Sequence, residues 1–560
     1  MPHQQNLPAS PPMSPQQPQQ EQIIPQLSDF LSPVDPVHES GEGRVMILCF
    51  DGTGNQFGTH NSNVVRFIRA LQKDDRKKQT VYYQPGIGSY NKYDTYVTHA
   101  GNTVESAVDV AIALTLNAHV KEGYQFIAQN HRPGDKICLF GFSRGAHAAR
   151  VLAGMVYKVG LLPKANMQQL DFAFSIYNTA GYDGYKRSLE FKRTFTHHYQ
   201  VSVDFVGVWD SVVGLVPKAY PYTSVNYAMK KFRHALSLDE RRAAFRPNLW
   251  SELTPTSEHE LDVDMPVPDT DKLNRGDFEY KPPERNFADV KEVWFAGTHA
   301  DVGGGSHIAT RSSSLSFISL RWMIKECILS ETGIMFDLKY LKDDLNFDFD
   351  GLIKEIGNET KKQNRIMQYH ELKEYRDAQL KEREAKDTTN GTAHIDAKLE
   401  EISNKTEKQN RIMKVRDAKQ DTLPLPMQQR CGHAWDILAD IFDQLVIFWY
   451  FWWMLEVVPM LYTYQDHHGN WIRRRMCNFG RGRYIPIYKD KVLVHRSVET
   501  RIHKTRKEGE KQSEDGTRAK KSRFFDILQD RLGFRNGEEY TPRAYNWDYL
   551  QEQDVIKYVD

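Results

Sequence analysis

The feature that most constrains what this chain can fold into is a junction at residues 136–160. KICLFGF (Lys136–Phe142) is a short apolar run, and the SRGAHAARVLAGMVYKVG that follows is rich in alanine and glycine. The first has the length and composition of a strand buried on both faces, and the second those of a helix lying close against a sheet. The two share the pentapeptide GFSRG (Gly141–Gly145), a G-x-S-x-G pattern. On a sharp strand-to-helix turn Ser143 takes a strained backbone conformation that lifts its hydroxyl above the sheet edge. The flanking glycines let helix and strand approach without Cβ clashes. The pentapeptide alone is a weak signal, but the strand directly before it and the helix directly after it are the context it requires. The competing reading is an ordinary strand-to-helix turn whose serine caps the helix.

The same alternation runs through the first half of the chain. RVMILCF (Arg44–Phe50) reads as a buried strand ending in the turn cluster DGTGN, and NSNVVRFIRAL as a helix capped by Ser62 or Asn63. TVYYQPGIG (Thr80–Gly88) predicts a strand and turn, Val104–Gln129 a long helix, and VSVDFVGVWD (Val201–Asp210) and VKEVWFAGTH (Val290–His299) two more strands. These strands are largely apolar rather than apolar at every second residue. The expected fold class is therefore α/β: an α/β-hydrolase-like, mostly parallel sheet with helices on both faces, spanning residues 41–335.

Around this core the composition changes. Residues 1–40 are rich in proline and glutamine and lack the apolar surface needed to offset ordering entropy, which predicts a disordered tail. Residues 336–430 are charged and lysine-rich, with an internal duplication, IGNETKKQNRIM (Ile356–Met367) against ISNKTEKQNRIM (Ile402–Met413), which predicts a solvated helical insertion. Residues 431–560 begin strongly aromatic and are expected to complete or cover the core. Within them, 499–523 read as a flexible basic loop and FFDILQDRLGF as a short docking helix.

Charge and cysteine content narrow the function. The 74 basic and 73 acidic residues give a formal net charge of +1, which excludes bulk attraction to nucleic acid. The five cysteines, Cys49, Cys138, Cys327, Cys431 and Cys477, are scattered, with neither disulfide nor zinc-ligand spacing. No metal and no cofactor is expected. With no basic-then-apolar leader, the reading is a cytoplasmic protein, free or peripheral on membranes.

A nucleophilic serine in this fold needs an acid and then a histidine later in the chain, at strand ends. Asp210 closes VSVDFVGVWD and is the candidate acid, with Asp204 in the same strand as runner-up. His299 follows VWFAGT and precedes ADVGGG, whose glycines let the loop fold tightly over the sheet edge. The competing histidines are His147, one helical turn beyond Ser143, and His234 and His307, neither of which reads as following a strand. Asp301 is expected to hold the histidine loop by hydrogen bonds. The oxyanion donors are expected to be the N–H of Arg144 and one from DGTGN, through Gly52 or Thr53, with Asp51 bracing that turn. A phosphatase reading of DGT fails, because the D-x-D-G-T nucleophile position is Cys49.

FDGTGN, GFSRGA, FVGVWDSVVG, HALSLDERR and WFAGTHADVGGG occur in that order. Together they resemble the family of predicted α/β hydrolases of unknown function that includes type VI secretion phospholipase effectors. The chain looks like an intracellular fungal member. The resemblance spans about Arg44–Ile328 and is weaker in NFGRGRYIP and VHRSV. It implies a Ser143, Asp210, His299 triad and, by analogy, hydrolysis of lipid esters.

QLVIFWYFWWMLEVVPMLYTY (Gln444–Tyr464) is the strongest apolar run, but its uninterrupted core, Leu445–Leu455, is shorter than the ~20 residues a spanning helix needs. Three readings stand open: a buried helix on the core, an interfacial helix or lid docking on lipid through Leu445–Tyr464, and a true span. Arg473, Arg474 and Arg475 follow and are suited to anionic headgroups or to a solvated surface. The expected activity is serine-dependent cleavage of carboxylic esters of lipids, phospholipids above all, through an acyl-enzyme. A soluble esterase or thioesterase and a non-catalytic scaffold are the alternatives.

Overall fold

A computed structural model of the chain describes residues 43–86, 104–250 and 288–358, apart from 180, 200, 214–219, 224–228 and 307–312. It also describes 436–465, 471–487, 491–504 and 540–560, apart from 440 and 448. The Pro/Gln tail, His307, almost all of the duplicated segment, most of the basic 499–523 stretch and FFDILQDRLGF lie outside the described residues.

Eight strands form one sheet. In chain order they are β1 (Val45–Phe50), β2 (Gln79–Gln84), β3 (Lys136–Phe142), β4 (Val203–Trp209), β5 (Met229–Ser237) and β6 (Asp289–Phe295), then β9 (Val492–His495) and β10 (Ile556–Val559). Their spatial order is β10-β9-β6-β5-β4-β3-β1-β2, and every pairing is parallel. β7 (Met460–Gln465) and β8 (Trp471–Met476) make a separate antiparallel hairpin.

Alternate residues of each central strand enter different cores, which is why the strands read as unbroken apolar runs. Val45, Ile47, Cys49, Cys138 and Phe140 face one core with α1 (Asn63–Arg69) and α7 (Ser316–Leu329). Met46, Leu48, Phe50, Ile137 and Leu139 face the other with α2 (Val104–Asn130), α3 (Ser143–Val159) and α4 (Leu170–Asn178). A fully buried side chain such as Phe140 contributes about 1.5–3 kcal/mol. Ser62 caps α1, its hydroxyl accepting from Val65 N.

Three expectations need correction. First, β5 carries His234, which the sequence reading left without a strand; its opening Met-Lys-Lys conceals it. Those lysines are accommodated because Lys231 Nζ donates to Ser330 O at 2.5 Å and Lys230 pairs with Asp204 at 2.6 Å. Second, residue 336 is not where a solvated insertion begins. Phe336, Leu341, Leu345, Leu352, Ile353 and Ile356, on and around α8 (Leu338–Asp343) and α9 (Phe349–Asn358), are buried in the same core as β1 and β3. Third, the aromatic run is not one helix. It divides into α10 (Gln444–Ile447), α11 (Trp449–Glu456) and β7. Among the described residues, no helix is long and apolar enough to cross a membrane, so the spanning reading is withdrawn. Glu456, the charge interrupting the run, is fully buried: it accepts from Ala243 N at 2.6 Å, Asn478 Nδ2 at 2.6 Å and Gly480 N at 2.9 Å.

Candidate active site

The C-terminal ends of β3, β4 and β6 bring three of the expected residues together. Ser143 opens α3 with φ +59°, the left-handed region that a non-glycine residue enters only when its surroundings hold it there. The flanking glycines are required by contact. A Cβ on Gly141 would lie 2.5 Å from Gly145 O, and one on Gly145 would lie 2.3 Å from Asp51 O. Asp210, one residue past β4, also has positive φ, at +42°. His299 opens α6 (His299–Gly303).

His299 Nε2 lies 2.8 Å from Ser143 Oγ, and Nδ1 lies 2.6 Å from Asp210 Oδ2. All three residues are buried. The imidazole packs between the rings of Phe142, at 4.6 Å, and Phe245, at 4.8 Å. Burial alone would raise the Asp210 pKa, but Arg483 and His299 more than reverse this and hold it far below the usual carboxylate range. Burial lowers the His299 pKa, outweighing the opposing pull of Asp210. The result is a neutral imidazole against an ionised carboxylate. With the Nδ1 proton donated to Asp210, Nε2 is left as the acceptor facing Ser143 Oγ.

The competitors sit elsewhere. Asp204 accepts from Ile137 N at 2.9 Å, at the opposite end of the sheet. His234 Nε2 accepts from Ser211 N at 3.0 Å and its Nδ1 lies 2.8 Å from Glu292, so both ring nitrogens are engaged in supporting the loop behind Asp210. His147 is a buried packing residue, held down to about 3 by burial and the Arg150 charge, with Nδ1 3.3 Å from Asn248.

The supporting residues are also placed. Asp301 Oδ2 accepts from Thr298 N at 3.0 Å, Thr298 Oγ1 at 3.1 Å and Phe442 N at 2.9 Å, which closes a capping box on α6 and fastens the histidine loop to the aromatic region. Asp51 accepts from Gly52 N at 2.8 Å and Tyr83 OH at 3.0 Å. The first of these bonds engages the Gly52 N–H. Thr53 is the other candidate in DGTGN. Arg144 is the second residue of α3, directly after Ser143.

Three residues not among the expected site residues complete the surroundings. Arg483 Nη1 and Nη2 donate to Asp210 Oδ1 at 2.5 Å and Oδ2 at 2.9 Å. Ser237 donates to the same carboxylate from N at 2.9 Å and from Oγ at 3.2 Å. Glu240 accepts from His299 N at 3.2 Å; the charge of Arg242 overcomes its burial and holds it down to about 2. Glu240 and Ser237 lie in HALSLDERR and Arg483 in NFGRGRYIP. The visible signal was an arginine between glycine and an apolar run, without a sequence neighbour to account for it.

Residues 44–326, half of the chain, match the family model described as the T6SS phospholipase effector Tle1-like catalytic domain. The chain is 28% identical over 572 residues to the uncharacterized protein YEL023C of Saccharomyces cerevisiae, covering 84% of this chain and 80% of that protein. It is also similar, at 18% identity and a TM-score of 0.28, to an uncharacterized protein of known crystal structure from Pseudomonas aeruginosa, over 53% of this chain and 46% of that one. With the matched segment holding β1 through β6 and Ser143, Asp210 and His299, the chain belongs to the Tle1-like phospholipase effector catalytic domain family.

Proposed function

We propose that this protein is a serine hydrolase that cleaves carboxylic esters of phospholipids, with Ser143 as nucleophile, His299 as general base and acid, and Asp210 as the group that orients and charges the imidazole. The observation that carries the reading is the continuous pair of contacts, Ser143 Oγ to His299 Nε2 at 2.8 Å and His299 Nδ1 to Asp210 Oδ2 at 2.6 Å. Family membership supports a lipid substrate.

In the first half-reaction His299 Nε2 takes the hydroxyl proton as Ser143 Oγ attacks the ester carbonyl carbon. Asp210 stabilises the imidazolium that forms. The N–H groups of Arg144 and Thr53 are assigned to the oxyanion. Collapse of the tetrahedral species breaks the bond to the alcohol oxygen, which leaves with the proton from Nε2. Water, deprotonated by the same nitrogen, then attacks the acyl-serine and regenerates the hydroxyl. The aromatic region is read as the part that meets a membrane: Met454 is 67% exposed and Val457 52% exposed, on the segment next to Leu445–Tyr464's buried anchor Glu456. This favours a lipase over a soluble esterase.

The test is fluorophosphonate labelling of wild type and Ser143→Ala. Labelling of the first and not the second supports the reading. Equal labelling of both places the reactive group elsewhere, and folded wild type that hydrolyses no ester returns the scaffold alternative.

A further inference from the structure

Beside the Ser143 site lies a cavity of about 730 Å³, walled by residues 240–249 on one side and by the β7–β8 hairpin and residues 478–484 on the other. Its lining holds seven arginines and one glutamate. Three of the seven face buried carboxylates: Arg241 lies 2.6 Å from Asp443, Arg242 2.8 Å from Glu240 and Arg483 2.5 Å from Asp210. Arg474, Arg475 and Arg481 have no such counterpart among the described residues, and Arg246 stacks over the Tyr462 ring at 3.9 Å. Burial lowers the Arg246 pKa against the opposing pull of Tyr462 and Glu456. A concave surface lined by one sign of charge concentrates field, and guanidinium groups match phosphate oxygens in pairs.

Adjacent in the chain to the lining residues Pro459, Met460 and Asn478 are exposed apolar side chains outside the lining itself. Val457, Val458 and Met454 lie at the turn from α11 into β7, and Phe479 follows β8, with exposures between 43% and 67%. Cys477 Sγ donates to Val457 O at 3.0 Å, and Phe479 N donates to Glu456 O at 3.1 Å, so these residues form one ledge at the end of the hairpin. A free anion needs the arginines alone, whereas a lipid headgroup also needs an apolar surface at the cavity's margin. The cavity reaches the proposed catalytic residues through two of its lining side chains. Arg483 lines it while holding Asp210, and Phe245 lines it while packing edge-on against His299 at 4.8 Å.

We propose that this cavity binds the phosphate of an anionic phospholipid, with the Met454–Val458 ledge seated in the membrane from which the lipid is taken. It deepens the lipid-ester reading above and rests on it.

The experiment is vesicle flotation of the full chain, comparing phosphatidylcholine vesicles with vesicles that also contain phosphatidic acid. Wild type is expected to prefer the anionic vesicles. An Arg474→Gln/Arg475→Gln variant, checked for an unchanged melting temperature, is expected to lose about 30-fold of that binding. Substituting Met454, Val457 and Val458 by serine is expected to weaken it as well. Ser143→Ala is expected to bind as wild type does, so failure of the nucleophile assignment and failure of the cavity assignment register on separate arms. Equal binding to both vesicle types, or an arginine double variant that binds like wild type, overturns the proposal. So does full displacement by millimolar inorganic phosphate, which assigns the cavity to a free anion.

Discussion

Arg483 grips Asp210 with both terminal nitrogens, at 2.5 Å and 2.9 Å, in a buried pair. The arginine comes from a segment 273 residues further along the chain, so the carboxylate that faces His299 is complete only when the C-terminal region is docked. The same charge has an electrostatic consequence. It offsets part of the negative charge of Asp210 that favours the imidazolium, while burial, helped by the Arg242 charge, holds the His299 pKa down.

Arg483→Lys should therefore act on the pH profile as well as on the rate. Replacing the fork with a point charge loosens its hold on Asp210 and lets the carboxylate stabilise imidazolium more strongly. The acid limb of kcat/KM, set below the ordinary histidine value of 6.5 in the wild type, is expected to move to higher pH. Arg483→Met should also destabilise the fold by about 3–5 kcal/mol, as expected for an uncompensated buried charge. A rate loss with an unshifted acid limb would show that Arg483 is only structural.

Asp301 gives a pH dependence of the opposite kind. Burial raises its pKa from 3.8 to about 7 despite the hydrogen bonds it accepts, and Oδ1 has no partner among the described residues. The folded protein holds this proton more tightly than the unfolded chain, so the stability contributed is fully present below pH 3.8 and is lost as pH rises to about 7. Thermal unfolding of Asp301→Asn across that window should show a shallower fall in melting temperature than wild type. A parallel curve refutes the assignment.

Gly145→Ala should abolish labelling at Ser143. The added methyl would stand 2.3 Å from Asp51 O and 2.4 Å from Phe50 O, and both neighbours are backbone in the sheet's central region. Overpacking costs about 1–3 kcal/mol where side chains can move; here they cannot take up the strain. A variant with wild-type melting and wild-type labelling contradicts this contact.

Glu456→Ala should release the aromatic segment. Three donors lose their acceptor, at about 1–3 kcal/mol for each that stays buried and unsatisfied. Hydrogen exchange is expected to accelerate first in residues 444–456. Unchanged protection there would show that packing of the segment, rather than this carboxylate, anchors it.

The half of the fold that holds Ser143 was legible from the sequence because its signals are local. β1 and β3 are apolar on both faces, and β4 and β6 end in apolar runs, so each strand announces itself, and the glycines at 141 and 145 mark the turn. Ser143, Asp210 and His299 were each found at a strand end, since parallel strands deliver such residues to one sheet edge. What the sequence could not show depends on contacts between distant segments. β5 was hidden because its lysines are paired from other elements. Residues 336–356 looked solvated because their apolar positions are spaced among charges and find their core only after folding. Glu456 read as an interruption of an apolar run, yet three donors from other segments converge on it. Arg483 was one arginine among many until the chain placed it on Asp210. Periodicity and turn chemistry report on near neighbours in sequence, and the ion pair that most lowers the Asp210 pKa joins residues 273 positions apart, so only the tertiary structure decided it.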